Sequence, residues 1–88
     1  MKIPVWLQIW RYLVDNKPAS QNEIFFSMSI SELAIRRNLP VLEEIGLINL
    51  KRTFKTEITK TQKFYDTLEL FMELHDAIEL AGKGVKNR

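Results

Sequence analysis

The spacing of the apolar residues changes at Gly46. Before this glycine, apolar residues recur at the three- and four-residue intervals of an amphipathic helix: Ile35, Leu39 and Leu42. After it, two short segments, 47–50 and 56–59, are rich in apolar or β-branched residues and flank a charged stretch, as in a hairpin. Glycine readily closes a helix in the left-handed conformation. The sequence therefore predicts a helix that stops at Gly46 and a two-stranded β-hairpin near 47–60.

Helical spacing also occurs in the rest of the chain. It predicts helices near residues 4–16, 20–28, 31–45 and 61–80. Ser20 and Glu23 have the spacing of a capping box, and Ser31 can cap the following helix. With the hairpin, these segments give a mainly α fold with a small β-hairpin, in the α+β class.

The length of 88 residues allows one domain at most, which we expect over residues 1–81. Two glycines near the C-terminus predict the end of the last helix, followed by a flexible basic tail over 82–88. The chain has no cysteine, which fits a reducing compartment and excludes thiolate chemistry. We find no signal-peptide pattern and no apolar run long enough for a membrane span, so a cytoplasmic protein is expected.

The charges are unevenly distributed along the chain. Residues 1–63 contain ten lysines and arginines against six acids, whereas residues 64–81 contain five acids and no lysine or arginine. Residues 82–88 add three cations. A polyanion would therefore approach the basic body and avoid the acidic C-terminal helix.

The element order resembles the winged helix-turn-helix family, in particular the MarR-like and ArsR-like regulators of bacteria and archaea. The resemblance lies in Asn22-Glu23-Ile24, in Ile30-Ser31-Glu32 and in the run from Ile35 to Ile48, which ends in Gly-Leu-Ile; 59–65 resembles the passage to the C-terminal helix. The small, cysteine-free form is similar to proteins of archaea and their viruses. The resemblance implies a transcriptional regulator that binds double-stranded DNA with helix 31–45 in the major groove and wing 51–55 on the backbone or minor groove.

Several residue types in these two elements suit DNA. A guanidinium can bond guanine O6 and N7 together, so Arg36 and Arg37 are candidate base readers, and Leu33 could contact a thymine methyl group. The start of the second helix could bind a phosphate. Pro40 removes a backbone hydrogen bond within the recognition helix and can kink it. The predicted DNA-binding residues are Ser20, Gln21, Ser31, Glu32, Leu33, Arg36, Arg37, Lys51, Arg52 and Lys55.

The last helix is apolar over more than half of its circumference, wider than the stripe that packing on one body requires. Two-fold pairing is the commonest way to bury such a surplus, so the sequence predicts a homodimer built on helix 61–80, with help from the first helix. The predicted interface residues are Trp6, Trp10, Phe64, Leu68, Phe71, Leu74, His75 and Ile78.

No motif in the chain points to an enzyme. His75 is the only histidine and lies on the apolar side of the last helix, where a buried or interfacial role is expected. There is no Cys/His cluster for a metal and no glycine-rich phosphate loop, so no metal or cofactor is expected. One alternative stays open: a winged-helix module that binds proteins instead of DNA, with the acidic last helix docking a basic partner. Phe26 and Phe54 could lie near the surface as contact residues, but partial burial is expected for both.

Overall fold

The computed structural model describes residues 2–17 and 20–84. Five helices and two strands follow one another in the order α1 (Val5–Asp15), α2 (Gln21–Ser27), α3 (Glu32–Ile45), β1 (Ile48–Arg52), β2 (Thr56–Lys60), α4 (Gln62–Asp66) and α5 (Leu68–Gly84). The described chain is mainly helical with one small antiparallel sheet, which confirms the predicted α+β class. The first three helices and the hairpin lie close to the predicted segments.

The core lies where α1, α3 and the start of the C-terminal helices meet. α1 packs mainly on α3 and more weakly on α5. Trp10 is fully buried at the centre, with its ring centroid 6.0 Å from that of Phe64 and 5.7 Å from that of Phe71. The fully buried aliphatic residues around it come from α1, α2, α3, β1 and the turn before β1: Leu7, Ile9, Leu13, Ile24, Ile35, Leu39, Leu42, Leu47 and Ile48.

The C-terminus of α3 is closed by a left-handed glycine, as the sequence predicted. Gly46 has φ 96°, and its N–H donates to the carbonyl of Glu43 at 2.9 Å. The N–H of Leu47 donates to the carbonyl of Leu42 at 2.9 Å, which completes the paired bonds of a Schellman motif. The side chains of Leu42 and Leu47 are both buried, so the turn that ends the helix also directs the chain into the core.

The two predicted helix caps have different outcomes. The Ser31 hydroxyl accepts from the Ala34 N–H at 3.1 Å, so the cap of α3 is confirmed. The Ser20 hydroxyl makes no capping bond to α2, and that part of the predicted capping box is wrong. Ser20 is instead buried in an isolated antiparallel bridge with Glu57, which joins the start of α2 to the hairpin.

The C-terminal region contains two helices where the sequence predicted one helix over 61–80. The break is at Thr67, whose hydroxyl donates to the Lys63 carbonyl at 2.7 Å. A threonine that bonds back to the carbonyl four residues earlier bends a helix, and here the bend separates α4 from α5. The helix also continues past Gly82, since one glycine near a helix end costs only about 1 kcal/mol. The predicted end of the helix near residue 80 is therefore wrong, and 85–88, the rest of the predicted tail, lie outside the described residues.

The apolar surface of the C-terminal region is used differently from the prediction. Trp10 and Phe64 are fully buried within the protomer, so they cannot contribute to a dimer interface. His75 is also buried. The half-buried members of the predicted set pack against the core of their own protomer: Trp6, Leu68, Phe71 and Ile78. Leu74 alone of the eight predicted residues is substantially exposed, at 42%.

Gly46 and Gly82 provide a matched test of the α3 terminus. Gly46→Ala should lower the free energy of unfolding by about 1–2 kcal/mol, because an alanine in the left-handed region is strained. Its Cβ would also lie 3.4 Å from Cδ of Lys63. Gly82→Ala, inside a helix, should instead raise the free energy of unfolding by about 0.5–1 kcal/mol. Chemical denaturation measures the sign of the change in the free energy of unfolding for each variant. Equal changes in the two variants would contradict the role of Gly46 as a left-handed helix terminus.

Candidate nucleic-acid interface

A groove of about 340 Å³ lies between α3 and the hairpin, with the start of α2 at its edge. Three elements supply its polar side chains: Gln21 from α2, Arg36 from α3, and Arg52 and Thr56 from the hairpin. Its apolar lining comes from the same region of the fold and consists of Leu39, Pro40 and Leu50. The groove therefore brings together two arginines that are distant in sequence.

Arg36 is held on α3 by an acidic neighbour one helical turn earlier. Its Nη2 lies 2.9 Å from Oε1 of Glu32, an i,i+4 ion pair. Both side chains are more than half exposed. An exposed pair of this kind is worth only about 0–1 kcal/mol, so the guanidinium remains available to another anion.

Arg52 faces the same groove because of the alternation of side chains along β1. Leu50 and Arg52 lie two positions apart, on the sheet face that looks toward α3, and Thr56 is the partner of Arg52 across the hairpin. Lys51 lies on the opposite face, paired in register with Glu57. The predicted basic tip is thus divided between two faces of the hairpin.

Glu43 fastens the hairpin to α3. One of its carboxylate oxygens accepts from the Leu50 N–H at 3.1 Å, and the other lies 3.3 Å from Nη2 of Arg52. The first contact satisfies a backbone donor on the edge of β1, since β2 occupies only the other edge. This role of Glu43 was not predicted from the sequence. Its position, one helical turn before Gly46 and on the side toward the strand that follows, could have indicated a contact with that strand.

The remaining predicted residues lie in several environments. Ser20 is 7% exposed and lies in the bridge with Glu57, so its side chain offers little surface to a ligand. Gln21 lines the groove, as a phosphate-binding residue would need to. Leu33 and Arg37 are exposed on α3 and do not line the groove. Ser31 is exposed at the start of α3, with its hydroxyl oxygen engaged in the cap.

The hairpin tip presents an aromatic side chain to solvent. Phe54 is 95% exposed and stands next to Lys55, which is also exposed. Thr53 shapes the tip, because both its N–H and its hydroxyl donate to the Lys55 carbonyl, at 3.3 and 3.1 Å. Phe26 on α2 is 82% exposed. The expected partial burial of both phenylalanines is therefore wrong.

Lys60 is partly buried at the end of β2. Partial burial lowers the pKa of its ammonium, the nearby Lys17 lowers it further, and Asp15 opposes the shift. Its Nζ lies 5.1 Å from the ring centroid of Phe64, a cation–π distance. Lys60 is thus committed to the junction of β2 with α4, away from the groove.

The remaining sequence predictions concern the single histidine, metal binding and membrane spans. His75, expected to be buried or interfacial, is buried in α5 with Nδ1 3.2 Å from Oδ1 of Asp76. Within residues 2–17 and 20–84, no group of three or more His, Cys, Asp or Glu residues could hold a metal ion. No helix in that part of the chain is long and apolar enough to cross a membrane. Comparison of the chain with protein families, curated proteins and solved structures found no match.

Glu43 and Glu44 are adjacent on α3, and only Glu43 contacts the hairpin through the bonds described above. We expect Glu43→Ala to lower the free energy of unfolding by about 1–2 kcal/mol relative to Glu44→Ala, because it leaves the Leu50 N–H without its acceptor. The helix propensities of the two substitutions are matched. Thermal melts measure the difference, and amide hydrogen exchange at Leu50 should accelerate only in Glu43→Ala. Equal exchange in the two variants would contradict the fastening role.

Proposed function

We propose that this protein binds double-stranded DNA in a sequence-specific manner and acts as a transcriptional regulator in the cytoplasm. The observation that carries the proposal is the groove in which Arg36 of α3 and Arg52 of β1 are brought together. Gln21 adds an amide donor from the start of α2. Donors converging from a helix and a hairpin suit a phosphate backbone that runs between them.

The carboxylates beside the two arginines do not prevent this binding. Glu32 and Glu43 compensate Arg36 and Arg52 in the free protein, and every member of the two pairs is at least one-third exposed to solvent. Each exposed pair contributes about 0–1 kcal/mol, whereas neutralising a DNA phosphate also releases condensed counterions. Phosphate binding should therefore prevail at low salt and weaken steeply as salt rises.

Sequence reading is assigned to the outward side of α3. Leu33 and Arg37 are exposed there, one helical turn apart, and Leu33 is 50% exposed. An arginine can bond both acceptors of guanine, and a leucine can contact the methyl group of thymine. This division gives the groove the role of positioning the protein and gives α3 the role of discriminating between bases.

The arginine pair gives a direct test. The variant Arg36→Ala/Arg52→Ala should weaken binding to all duplexes and reduce the slope of log K against log salt by about two, one for each lost phosphate contact. Fluorescence anisotropy of labelled 20-base-pair duplexes at two or more salt concentrations measures both quantities. Arg37→Ala should instead cost about 1–3 kcal/mol on a selected sequence and little on random DNA.

Arg11→Ala is the matched control. Arg11 forms an i,i+4 ion pair with Asp15 at 2.7 Å on α1, so Arg11→Ala removes the same type of contact outside the groove and one of the two charges that the groove variant loses. The slope of log K against log salt should be the same for Arg11→Ala as for the wild type. The proposal fails if the wild-type chain shows no salt-dependent affinity for duplex DNA, or if Arg11→Ala weakens binding as much as the groove variant does.

Phe54 extends the proposed interface to the hairpin tip. A fully exposed phenylalanine is costly to hydrate, and here it lies beside exposed Lys55 on a tip whose backbone is held by Thr53. Apolar side chains inserted between base steps in the minor groove unstack those steps and bend the duplex. We assign this role to Phe54 in the DNA complex.

The bend can be measured by energy transfer between dyes at the two ends of a duplex. Phe54→Ala should bind with lower affinity and leave the DNA straighter, whereas Phe54→Leu should retain most of the bend because it keeps an apolar wedge. Phe26→Ala removes another largely exposed ring, from α2, and serves as the control. Unchanged transfer in Phe54→Ala would exclude the wedge while leaving DNA binding intact.

A second candidate function is binding to another protein, because Phe26, Leu33 and Phe54 are all large, apolar and exposed. Exposed apolar side chains of this size are typical anchors of protein interfaces. The DNA assay separates the two functions. A chain that shows no salt-dependent DNA affinity, and whose association with a protein partner is lost in Phe26→Ala and Leu33→Ala, would have the second function.

A further inference from the structure

We propose that α5 pairs with α5 of a second copy in antiparallel orientation, through a stripe of Leu70, Leu74, Ala77 and Ala81. The proposal goes beyond DNA binding and does not depend on it. Of these four residues, Leu74 belongs to the interface that the sequence predicted, whereas Leu70, Ala77 and Ala81 do not.

The side of α5 that faces its own protomer is already occupied. Phe71 lies edge-on to Trp6, with ring centroids 6.2 Å apart, and contacts Trp10 as well. One turn later, His75 is buried, and Ile78 packs against the same core. These residues are spaced by four and three positions, which defines the inward side of the helix.

A second apolar stripe lies beside that inward side. Its four members are all exposed and are spaced by four, three and four positions: Leu70, Leu74, Ala77 and Ala81. At 3.6 residues per turn they fall within about 60° of one another, and their spacing is that of the seam in a two-helix coiled coil. Leu70 is 63% exposed. The acids of α5 project on the remaining side of the helix, away from the centre of the stripe: Glu69, Glu73, Asp76 and Glu79.

The order of side-chain sizes along the stripe indicates which molecule packs against it. Both leucines come first and both alanines last, so the stripe is complementary to itself when it is turned end to end. Leu70 then lies opposite Ala81 of the second copy, and Leu74 opposite Ala77 of the second copy. Every layer contains one large and one small side chain, which lets two straight helices pack at a constant separation without voids.

Parallel pairing of the two helices would not place a large side chain opposite a small one in every layer. It would place leucine against leucine in two layers and alanine against alanine in the other two, so the helices would have to diverge or leave gaps at the alanine end. A different protein would have no reason to require this order of sizes. The arrangement therefore favours a second copy of the same chain in antiparallel orientation.

Cysteine cross-linking tests the pairing and its direction, because the chain contains no cysteine of its own. Disulfides form only between Cα atoms closer than about 7 Å. In the antiparallel pair, Leu70→Cys/Ala81→Cys should form covalent dimers under mild oxidation. Leu70→Cys alone should not, since its two copies would lie about 16 Å apart along the helix axis. Asp76→Cys is the control, because it lies close to the two-fold axis along the helix but on the acidic side.

Sedimentation equilibrium of the unmodified chain at micromolar concentration measures association independently. We expect a mass approaching twice the 10.4 kDa of one chain. Leu74→Glu should raise the dimer dissociation constant by at least ~100-fold, since each copy would bury a charge. The residue is exposed in the protomer, so the circular dichroism spectrum of this variant should match that of the wild type.

Three results would overturn the proposal. Cross-linking of Leu70→Cys alone would indicate parallel pairing, and cross-linking of Asp76→Cys would indicate contact through the acidic side. A mass of 10.4 kDa that is independent of concentration would exclude self-association, and the stripe would then be open to a different protein. None of these measurements involves DNA, so they leave the DNA-binding proposal unaffected.

Discussion

The junction at the C-terminus of α3 fixes the positions of all the elements that follow it. The last carbonyls of a helix have no partner within the helix and must be satisfied from elsewhere. Here the Ile45 carbonyl accepts from Nζ of Lys63 at 2.6 Å, and the Gly46 carbonyl accepts from the Thr61 hydroxyl at 2.6 Å. The Thr61 N–H donates to the Leu47 carbonyl at 3.1 Å. The end of α3 is therefore bonded directly to the start of α4, and the hairpin between them is held at both of its ends.

This closure explains how the groove obtains its shape. β1 begins two residues after Gly46, so the left-handed turn sets the direction in which Leu50 and Arg52 leave α3. Glu43 then fixes the separation of the two elements through its contacts with those residues. A carboxylate that is one-third exposed performs this task while remaining close enough to Arg52 to compensate its charge. The same residue thus contributes to the fold and moderates the positive charge of the groove.

The elements set by local chemistry were predictable from the sequence, and those set by tertiary contacts were not. Gly46 and Ser31 behave as predicted, since a left-handed glycine and a serine cap depend on a few neighbouring residues. Ser20 has the same local signal as Ser31, but the pairing with Glu57 places it in a bridge instead. Apolar periodicity showed that the last helix has surplus apolar surface. It could not separate the inward side, occupied by Phe71, from the outward stripe, because both are apolar.

The candidate groove could likewise be predicted from the sequence only in part, because tertiary contacts shape it. Composition identified Arg36 and Arg52 as cations on a helix and a hairpin, but only the strand register shows that Arg52 faces α3 and Lys51 faces away. Exposure at the tip was also unpredictable, because a phenylalanine in a short chain is usually buried. Phe54 has no body to pack against, since the tip projects beyond the sheet.

The bridge between Ser20 and Glu57 has a consequence for the order in which the molecule assembles. It joins the two ends of a segment that contains α2, α3 and β1, so it can form only after a long loop has closed. Contacts within helices, within the hairpin and between the hairpin and α3 are much closer in sequence and form at a lower entropic cost. The edge of the groove that α2 supplies is therefore completed late in folding, after α3 and the hairpin have formed the other walls, and it separates first when the protein opens locally. A surface that is the last to form can adjust to a ligand without unfolding the core that supports it.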